Sequence, residues 1–433
     1  MSFPRYHKYK DSAVAWLGEV PAHWEVKRLK YSLRLLTEKT DRRDHPVALE
    51  NIESWTGRFL PTETEFQGEG IAFNAGDILF GKLRPYLAKA YRAEAGGEAV
   101  GDFHVMRPVA GFDGRFARYQ ILSREFISVV DGSTFGSKMP RASWEFVGGM
   151  KLTVPPIAEQ AGIATFLDRE TAKIDELAAE QQRLVELLKE KRQAVISHAV
   201  IKGLNPDAPI KPSGSEWVGD IPAHWEMTPL KWLTDPERPI MYGIVLPGPD
   251  VGEGVPILKG GNVRPSRMNL QAMARTTPEI EAPYARARLK TGDLVYSIRG
   301  TIGDCEPVPA ELEGSNITQD VARVAIANGV CAPWARWALL ASAIRENLGS
   351  GSLGAAIRGI NIFDLKRVKI PTPPLNEQAA IAKFIDHETA TLERLSAEAQ
   401  RAIDLLYERR AALISAAVTG QIDVRQLVER EAA

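Results

Sequence analysis

Residues 155–177 read PPIAEQAGIATFLDRETAKIDEL, and residues 373–395 read PPLNEQAAIAKFIDHETATLERL. The match continues without a gap to AVISHAV, from Ala194, and ALISAAV, from Ala412. A second repeat pairs WLGEVPAHWEVKRLKY, from Trp16, with WVGDIPAHWEMTPLKW, from Trp217. The first repeat has an offset of 218 residues and the second an offset of 201, so the chain of 433 residues is written twice around middle segments of different length.

Each copy of the first repeat predicts one long helix. Apolar residues recur at helical spacing from Glu159 to about Val200, with no proline inside. A run of ~40 residues would be ~60 Å long and would need a partner. The natural partner is its own repeat, and two unrelated surface helices are the alternative. A heptad that starts at Ile174 predicts a helix–helix interface formed by Ile174, Leu177, Leu184, Leu188 and Val195 with Leu392, Leu395, Leu406 and Leu413.

The repeated pentapeptide PAHWE is predicted to mark the entry to each domain. Trp24 and Trp225 should pack inward, with His23 and His224 hydrogen-bonded beside them. A catalytic acid–base pair of histidines is the alternative. If the two helices pair antiparallel, the end of the second helix should return to the first PAHWE, and the two domains would be held apart at a fixed distance.

The composition and the motifs favour binding over catalysis. The net charge is only −1, and Cys305 and Cys331 are too few for a disulfide framework or a thiolate metal site. There is no apolar run of ~18 residues and no apolar leader, so we expect a cytoplasmic protein. GSGSLG, from Gly349, follows a helical pattern and is predicted to be a turn, and the phosphate-binding loop and HExxH motifs are absent.

Clusters of cations in the two middle segments are the candidate DNA-binding residues. Arginine, lysine and asparagine are the residue types that reach base edges and phosphates. Each such residue alone is usually an ordinary surface residue, so the clusters carry the argument. The candidates are Lys82, Arg84, Tyr86, Lys89, Lys138 and Arg141 in the first copy, and Lys259, Asn262, Arg264, Arg267, Arg299, Arg358 and Asn361 in the second.

These paired motifs, together with the ending ALISAAVTGQIDVR from Ala412, resemble the specificity subunits of type I restriction-modification systems. The resemblance covers essentially the whole chain. It implies an α+β protein with two α/β target recognition domains, separated by a pair of long antiparallel coiled-coil helices in a pseudo-twofold internal repeat. The corresponding segments are 1–154 for an N-terminal conserved segment and the first recognition domain, 155–203 for the first long helix, 204–372 for the connector and second recognition domain, and 373–433 for the second long helix and a C-terminal segment.

The resemblance also implies a non-catalytic subunit that reads a bipartite double-stranded DNA target, one half per domain. Its expected partners are two modification subunits, which use S-adenosylmethionine, and restriction subunits, which use ATP and Mg²⁺. No cofactor or metal is expected in this chain itself. A bivalent protein-binding scaffold without DNA recognition, or a free-standing methyltransferase with its own cofactor pocket, are the alternatives.

Overall fold

The protein is described by a computed structural model that covers residues 3–42, 44–62, 68–136, 138–350 and 359–425. Contacts divide the chain into two compact units. Unit 1 comprises residues 1–182 and 400–433, and unit 2 comprises residues 183–399. Each unit therefore contains one recognition segment, part of the first long helix and part of the second.

Unit 1 is built on short strands that form two four-stranded sheets and two antiparallel two-stranded pairs. The sheets have the orders β5-β7-β10-β6 and β4-β11-β8-β9, and the pairs are β1-β2 and β12-β3. The strands are β1 (Tyr9–Asp11), β2 (Glu19–Pro21), β3 (Glu25–Arg28), β4 (Leu33–Leu36), β5 (Lys39–Thr40), β6 (Pro46–Val47), β7 (Gly70–Phe73), β8 (Ile78–Gly81), β9 (Ala90–Arg92), β10 (Gly97–Val100), β11 (Phe103–Pro108) and β12 (Lys151–Val154).

Three short helices cover these sheets, and each begins at a polar N-cap. They are α1 (Gly114–Ile121), α2 (Arg124–Asp131) and α3 (Trp144–Gly149), capped by Asp113, Ser123 and Ser143, whose side-chain oxygens accept backbone N–H groups. Their apolar faces share one core with Trp24 and with Ile414 of the second long helix. The core therefore fastens the recognition segment to both the PAHWE motif and that helix.

Unit 2 repeats this plan with one four-stranded sheet, β16-β22-β19-β20, one three-stranded sheet, β18-β17-β21, and the pairs β13-β14 and β15-β23. The strands are β13 (Ile210–Pro212), β14 (Asp220–Pro222), β15 (Glu226–Pro229), β16 (Met241–Tyr242), β17 (Val255–Leu258), β18 (Ala274–Thr276), β19 (Leu294–Ser297), β20 (Cys305–Pro307), β21 (Asn316–Ile317), β22 (Val321–Val324) and β23 (Lys369–Thr372). The short helices are α5 (Pro278–Glu281), α6 (Ala332–Leu340), α7 (Ser342–Ser350) and α8 (Ile362–Arg367).

The two long helices are α4 (Ile157–Lys202) and α9 (Leu375–Val418), and they run antiparallel. In unit 1, Asp175 pairs with Arg410 at 2.8 Å, and in unit 2, Glu393 pairs with Arg192 at 3.2 Å. Asp175 and Arg192 are 17 positions apart on α4, and Arg410 and Glu393 are 17 positions apart, in the opposite direction, on α9. The offset of 218 relates Asp175 to Glu393 and Arg192 to Arg410, so the two ion pairs are repeats of each other.

Of the nine residues predicted for the helix seam, three are exposed and two are half-buried, and the other four are buried: Val195 and Leu406 are the half-buried ones, and Ile174, Leu188, Leu392 and Leu413 are the buried ones. Leu177, Leu184 and Leu395 are exposed by 47%, 42% and 41%, whereas the residue after each of the first two, Ala178 and Val185, is buried. The buried positions are Thr171, Ile174, Ala178, Val185, Leu188, Ile196 and Ala199 on α4, and Thr389, Leu392, Ala399, Ile403, Arg410, Leu413 and Ala417 on α9. From Ile174 the buried positions on α4 follow at spacings of four, seven and three residues, because the facing helix covers that side of the apolar stripe.

Candidate nucleic-acid interface

A carboxylate joins each PAHWE motif to the first turn of a long helix, and it is buried in unit 1 and partly exposed in unit 2. In unit 1, Glu159 accepts hydrogen bonds from Trp24 Nε1 at 2.6 Å and faces His23 Nε2 at 3.0 Å. In unit 2, Glu377 binds Trp225 Nε1 at 3.0 Å and His224 Nε2 at 2.8 Å. Both indole rings are fully buried. The predicted inward packing of Trp24 and Trp225 is therefore observed, and the histidine beside each of them is hydrogen-bonded to the same carboxylate.

Two further positions of the helix-start repeat, a glutamine and an aspartate in each copy, form hydrogen bonds to the recognition segments. Gln160 Oε1 accepts the backbone N–H of Asp113, the N-cap of α1, at 2.8 Å, and Gln378 Oε1 does the same for Cys331, the N-cap of α6, at 2.9 Å. Eight residues further along each helix, Asp168 accepts a hydrogen bond from Tyr119 Oη, and Asp386 accepts one from Trp337 Nε1. The motif residues thus position the recognition segments.

The C-terminal end of each long helix also returns to a PAHWE motif. In unit 1, Tyr9 Oη donates to the carbonyl of Gly420 at 2.9 Å, and a Cβ added at Gly420 would lie 2.3 Å from Pro21. In unit 2, a Cβ added at Gly203 would lie 3.0 Å from the ring of Trp225. Both glycines have positive φ, so a side chain is excluded by conformation as well as by space.

In unit 1 two loops come together at the end of β8. Leu83 forms a β-bridge with Arg141, and the backbone N–H of Ala142 donates to the Lys82 carbonyl at 2.9 Å. Arg84 N–H donates to the carbonyl of Pro140. The first loop contains Lys82, Arg84 and Tyr86 and the second contains Lys138 and Arg141. The structure therefore brings together five of the six residues predicted in this copy, and we call residues 82–86, 134–136 and 138–141 the first loop cluster.

The cations of the first loop cluster are not equivalent. Arg141 binds Asp102 in a bidentate pair, with distances of 3.0 and 2.8 Å, and Lys82 lies 3.8 Å from the same carboxylate. Arg84 and Lys138 are exposed and form no ion pair with a described residue. Hydrogen bonding to Asp102 raises the pKa of Arg141. Asp102 thus holds two cations in place, while Arg84 and Lys138 remain open to a ligand.

Lys89 and Tyr86 have other surroundings. Lys89 Nζ donates to the Leu49 carbonyl at 2.7 Å, and partial burial lowers its pKa. The Lys89 ammonium therefore stabilises the fold through this hydrogen bond. Tyr86, which is 46% exposed, lines an open cleft of about 690 Å³ together with Trp55 and Tyr407.

Unit 2 forms an equivalent cluster from three loops, residues 259–267, 298–304 and 359–361. Arg299 forms a β-bridge with Gly359, and Ile360 N–H donates to the Ile298 carbonyl at 2.8 Å. Thr301 Oγ1 donates to the carbonyl of Gly260 at 2.9 Å, which joins the first two loops. The β-bridge between Arg299 and Gly359 is the counterpart of the one between Leu83 and Arg141, since positions 141 and 359 are related by the offset of 218. We call these residues the second loop cluster.

The cations of the second loop cluster are mostly exposed. Lys259 and Arg299 form no ion pair with a described residue, and Arg264 lies 3.4 Å from Asp304. Arg267 donates to the carbonyl of Gly261 at 3.4 Å. The remaining predicted cation, Arg358, lies outside the described residues.

The two predicted asparagines already serve the fold. Asn262 Oδ1 accepts the Lys259 N–H at 3.0 Å and its Nδ2 donates to the Ala272 carbonyl. Asn51 makes the same two bonds in unit 1, to Ala48 and Leu60. Asn361 is the N-cap of α8 and accepts the Phe363 N–H, as Ser143 caps α3. These amides maintain the turns and caps that position the loops.

Asp102 and Asp304 were not found from the sequence as members of the clusters. The only available signal was the alternation of acids with the basic residues, which most often marks a solvated surface. Their positions depend on strand pairings that bring distant segments together. The shared bridges at Arg141 and Gly359 could have been anticipated from the aligned Gly-rich segments.

The described residues contain no group of three or more possible metal-ligating side chains. Burial raises the pKa of the Cys305 thiol to about 12, so this sulfur is protonated near neutral pH. Among the described helices, none is long and apolar enough to cross a membrane.

A family model described as the type I restriction modification DNA specificity domain matches residues 253–401. The Escherichia coli EcoBI specificity subunit is 25% identical over 309 residues, which cover 70% of this chain and 65% of that protein, just under two thirds of its length. The MjaVIII specificity subunit of Methanocaldococcus jannaschii is 21% identical over 444 residues, which cover 94% and 95% of the two chains.

Two solved structures are similar in fold. The HsdS subunit from Thermoanaerobacter tengcongensis has a TM-score of 0.51 and 18% identity, with 93% of this chain and 98% of that chain covered. A chain from a structure on complex assembly and conformational transition of the type I R-M system has a TM-score of 0.70 and 18% identity, with 92% and 98% covered. The resemblance to type I specificity subunits is confirmed, and so is the predicted fold class of two α/β recognition domains with a long antiparallel helix pair and an internal repeat.

Proposed function

We propose that this chain is the DNA-recognition subunit of a type I restriction-modification complex and that it reads a bipartite target, one half per recognition segment. The observation that carries the proposal is the pair of loop clusters. They share the backbone bridge at Arg141 and Gly359 but present different side chains. Two loop clusters with the same backbone arrangement and different side chains would each recognise a different half-site.

The charges of the clusters support DNA as the ligand. Arg84, Lys138, Lys259 and Arg299 are exposed and unpaired among the described residues, although the whole chain carries a net charge of only −1. Arginine reads guanine in a bidentate manner, and lysine and arginine contact phosphates. The cations paired with Asp102 and Asp304 would position the loops around the reading residues.

The proposal includes the partner subunits and the reactions that they would catalyse. Two modification subunits would supply adenine methylation with S-adenosylmethionine, and restriction subunits would use ATP and Mg²⁺. The chain itself would remain non-catalytic and cytoplasmic. Because the helix starts and the PAHWE motifs occur in both halves with the same contacts, the chain offers two equivalent attachment regions for two identical modification subunits.

Co-expression with candidate modification subunits tests the proposal. Methylated adenines in random-sequence DNA should define a bipartite site, and the purified chain alone should methylate nothing. Arg84→Ala should alter one half of the site and Arg299→Ala the other. Lys39→Ala, which removes an exposed lysine paired with Glu69, is the matched control and should leave the site unchanged.

A complex that assembles but methylates DNA without sequence preference would contradict recognition by this chain. Assembly without any DNA binding would favour a bivalent protein-binding scaffold instead. Methylation by the chain in a preparation free of partner subunits would favour an independent methyltransferase.

A further inference from the structure

Two exposed aromatic side chains occupy the same place in the two repeats. Tyr31 is 62% exposed and Trp232 is 70% exposed, and the offset of 201 relates them. Each ends a short 3₁₀ turn that follows the strand after PAHWE. The preceding residue is a lysine in both copies, with Nζ 5.5 Å from the Tyr31 ring centroid for Lys30 and 5.1 Å from the Trp232 centroid for Lys231.

Strand pairing places a second lysine opposite the residue that precedes each of these 3₁₀ turns. In unit 1, Lys151 of β12 pairs with Arg28 of β3, and the Leu29 N–H donates to the Met150 carbonyl at 2.7 Å. This bond holds the turn that carries Lys30 and Tyr31 beside the residue that precedes Lys151. All of these lysine side chains are exposed. We call Lys30, Tyr31 and Lys151 the first aromatic–lysine patch.

Unit 2 reproduces the arrangement from its own segments. Lys369 of β23 pairs with Pro229 of β15, and the Leu230 N–H donates to the Val368 carbonyl at 2.9 Å. Lys369 corresponds to Lys151 by the offset of 218. Lys231, Trp232 and Lys369 form the second aromatic–lysine patch. None of the four lysines in the two patches forms an ion pair with a described carboxylate.

The fold alone does not explain why the two aromatic–lysine patches are alike. Isolated exposed apolar residues are common, but packing does not require an exposed lysine–aromatic–lysine group to recur. Around it the repeats have diverged: Val26, Lys27 and Arg28 correspond to Met227, Thr228 and Pro229. A ligand that is chemically the same at both units would account for the recurrence.

We infer that the two aromatic–lysine patches bind the sugar–phosphate backbone of duplex DNA outside the bases, as sequence-independent clamps on the two half-sites. The inference rests on the proposed function. Every polar group of a patch is a donor: two ammonium groups and either the Tyr31 hydroxyl or the Trp232 indole N–H. Such a set complements an anionic acceptor, and phosphates are the one feature that two different half-sites share.

Location supports the same ligand. Helix α3 begins at Trp144, three residues after Arg141 of the first loop cluster, and ends one residue before Met150, so it leads from the first loop cluster to the first patch. Helix α8 begins after Asn361 of the second loop cluster and leads in the same way to Lys369. At 1.5 Å per residue, each of these six-residue helices is ~9 Å long, so patch and cluster can meet one DNA segment.

The test compares matched double variants of the full chain in complex with its modification subunits. Lys30→Gln with Lys151→Gln removes the charges of the first patch, and Lys231→Gln with Lys369→Gln those of the second. Lys189→Gln with Lys191→Gln removes two exposed lysines of α4 and is the control. Affinity is measured by fluorescence anisotropy over a range of salt concentrations, with the target duplex and with a random-sequence duplex.

Each patch variant should lower the slope of log affinity against log salt by about 2, and the four-lysine variant by about 4, since each lost phosphate contact removes about 0.9. Affinity for both duplexes should fall by the same factor, so that the ratio of target to random binding is unchanged. Trp232→Phe, which keeps a ring but removes the N–H donor, should weaken binding to both duplexes, while the α4 control keeps the wild-type slope.

Unchanged slopes in patch variants, with a wild-type complex that binds its target, would overturn the inference and leave the proposed function standing. Loss of the modification subunits from the patch variants, with DNA binding retained, would assign the patches to protein docking and also overturn it. A wild-type complex that binds neither duplex would overturn the proposed function itself and the inference with it.

Discussion

At the scale of single residues, the two repeat-related ion pairs differ in burial and should differ in energy. The Arg410 side chain is only 8% exposed, and besides Asp175 it donates to the Trp55 carbonyl at 3.1 Å. Arg192 and Glu393 are 32% and 62% exposed. Removing the partner of a buried charge is costly, whereas exposed pairs contribute little.

We therefore expect Asp175→Ala to lower the free energy of unfolding by about 2 kcal/mol, less than for a fully buried pair because Asp175 is partly exposed. Glu393→Ala should cost less than about 1 kcal/mol. Urea unfolding of both variants measures the difference. Equal losses would show that burial of Arg410 does not determine the strength of the pair.

Glu281 predicts a pH dependence in unit 2. Its fully buried carboxylate accepts two hydrogen bonds from Arg288, at 2.8 and 2.6 Å, and one from Asn316. The hydrogen bonds from Arg288 hold the pKa of Glu281 below its ordinary value of 4.5. A carboxyl whose pKa is lower in the folded state stabilises the fold above pH 4.5 and loses that contribution as the pH falls toward the folded pKa.

Glu281→Gln should therefore be less stable than wild type near pH 7, and the difference should shrink below pH 4.5. Thermal unfolding across this range measures the difference. Glu311→Gln, at an exposed position, is the control and should follow the wild-type curve. A Glu281→Gln deficit that stays constant into acid would mean that the charge of Glu281 is not the stabilising feature.

At the scale of elements, the repeat predicted both long helices but not the register of their seam. Apolar residues lie on both sides of Ile174, so a heptad through Leu177 and one through Ala178 both fit the pattern. The position of the facing helix decides between them, and no local propensity encodes it. Arg410 is a further case: a charged residue is expected at the surface, and only its contacts with Asp175 and Trp55 make its burial possible.

The recognition segments could be predicted only in outline for a similar reason. Lys82, Arg84 and Arg141 were predicted only as separate candidates, and the bridge between Leu83 and Arg141 brings them together. Which of them are free was decided by Asp102, which pairing of distant strands brings to the loop. Lys89 and Asn262 were assigned to the ligand by residue type, yet their polar groups bind the Leu49 and Ala272 carbonyls.

The long helices also carry a prediction about distance. Residues 181–187 of α4 lie between Asp175 and Arg192, and residues 399–405 of α9 lie between Glu393 and Arg410. Removing both segments should preserve the seam and both ion pairs while shortening the helix pair by ~10 Å. DNA advances 3.4 Å per base pair along each strand, so the preferred spacer should shorten by about three base pairs.

A selection from DNA libraries with varied spacers measures this effect. The half-site sequences should stay the same, and affinity should fall even on the best site because the helical phase of the DNA changes. Removal of the α4 segment alone is the control, and it should disrupt the pairing of Asp175 with Arg410. An unaltered spacer preference in the folded double-deletion variant would show that the helices do not set the distance.

At the scale of the whole molecule, the central claim is that two independent readers recognise one bipartite site. The first loop cluster lies entirely in unit 1 and the second entirely in unit 2, and each unit has its own core. The decisive measurement is the methylation pattern of a complex in which residues 26–150 are replaced by the equivalent segment of another specificity subunit. We predict that one half of the recognised sequence changes and that the other half, together with the spacer, remains that of the wild type. A change in both halves, or in neither, would contradict the account.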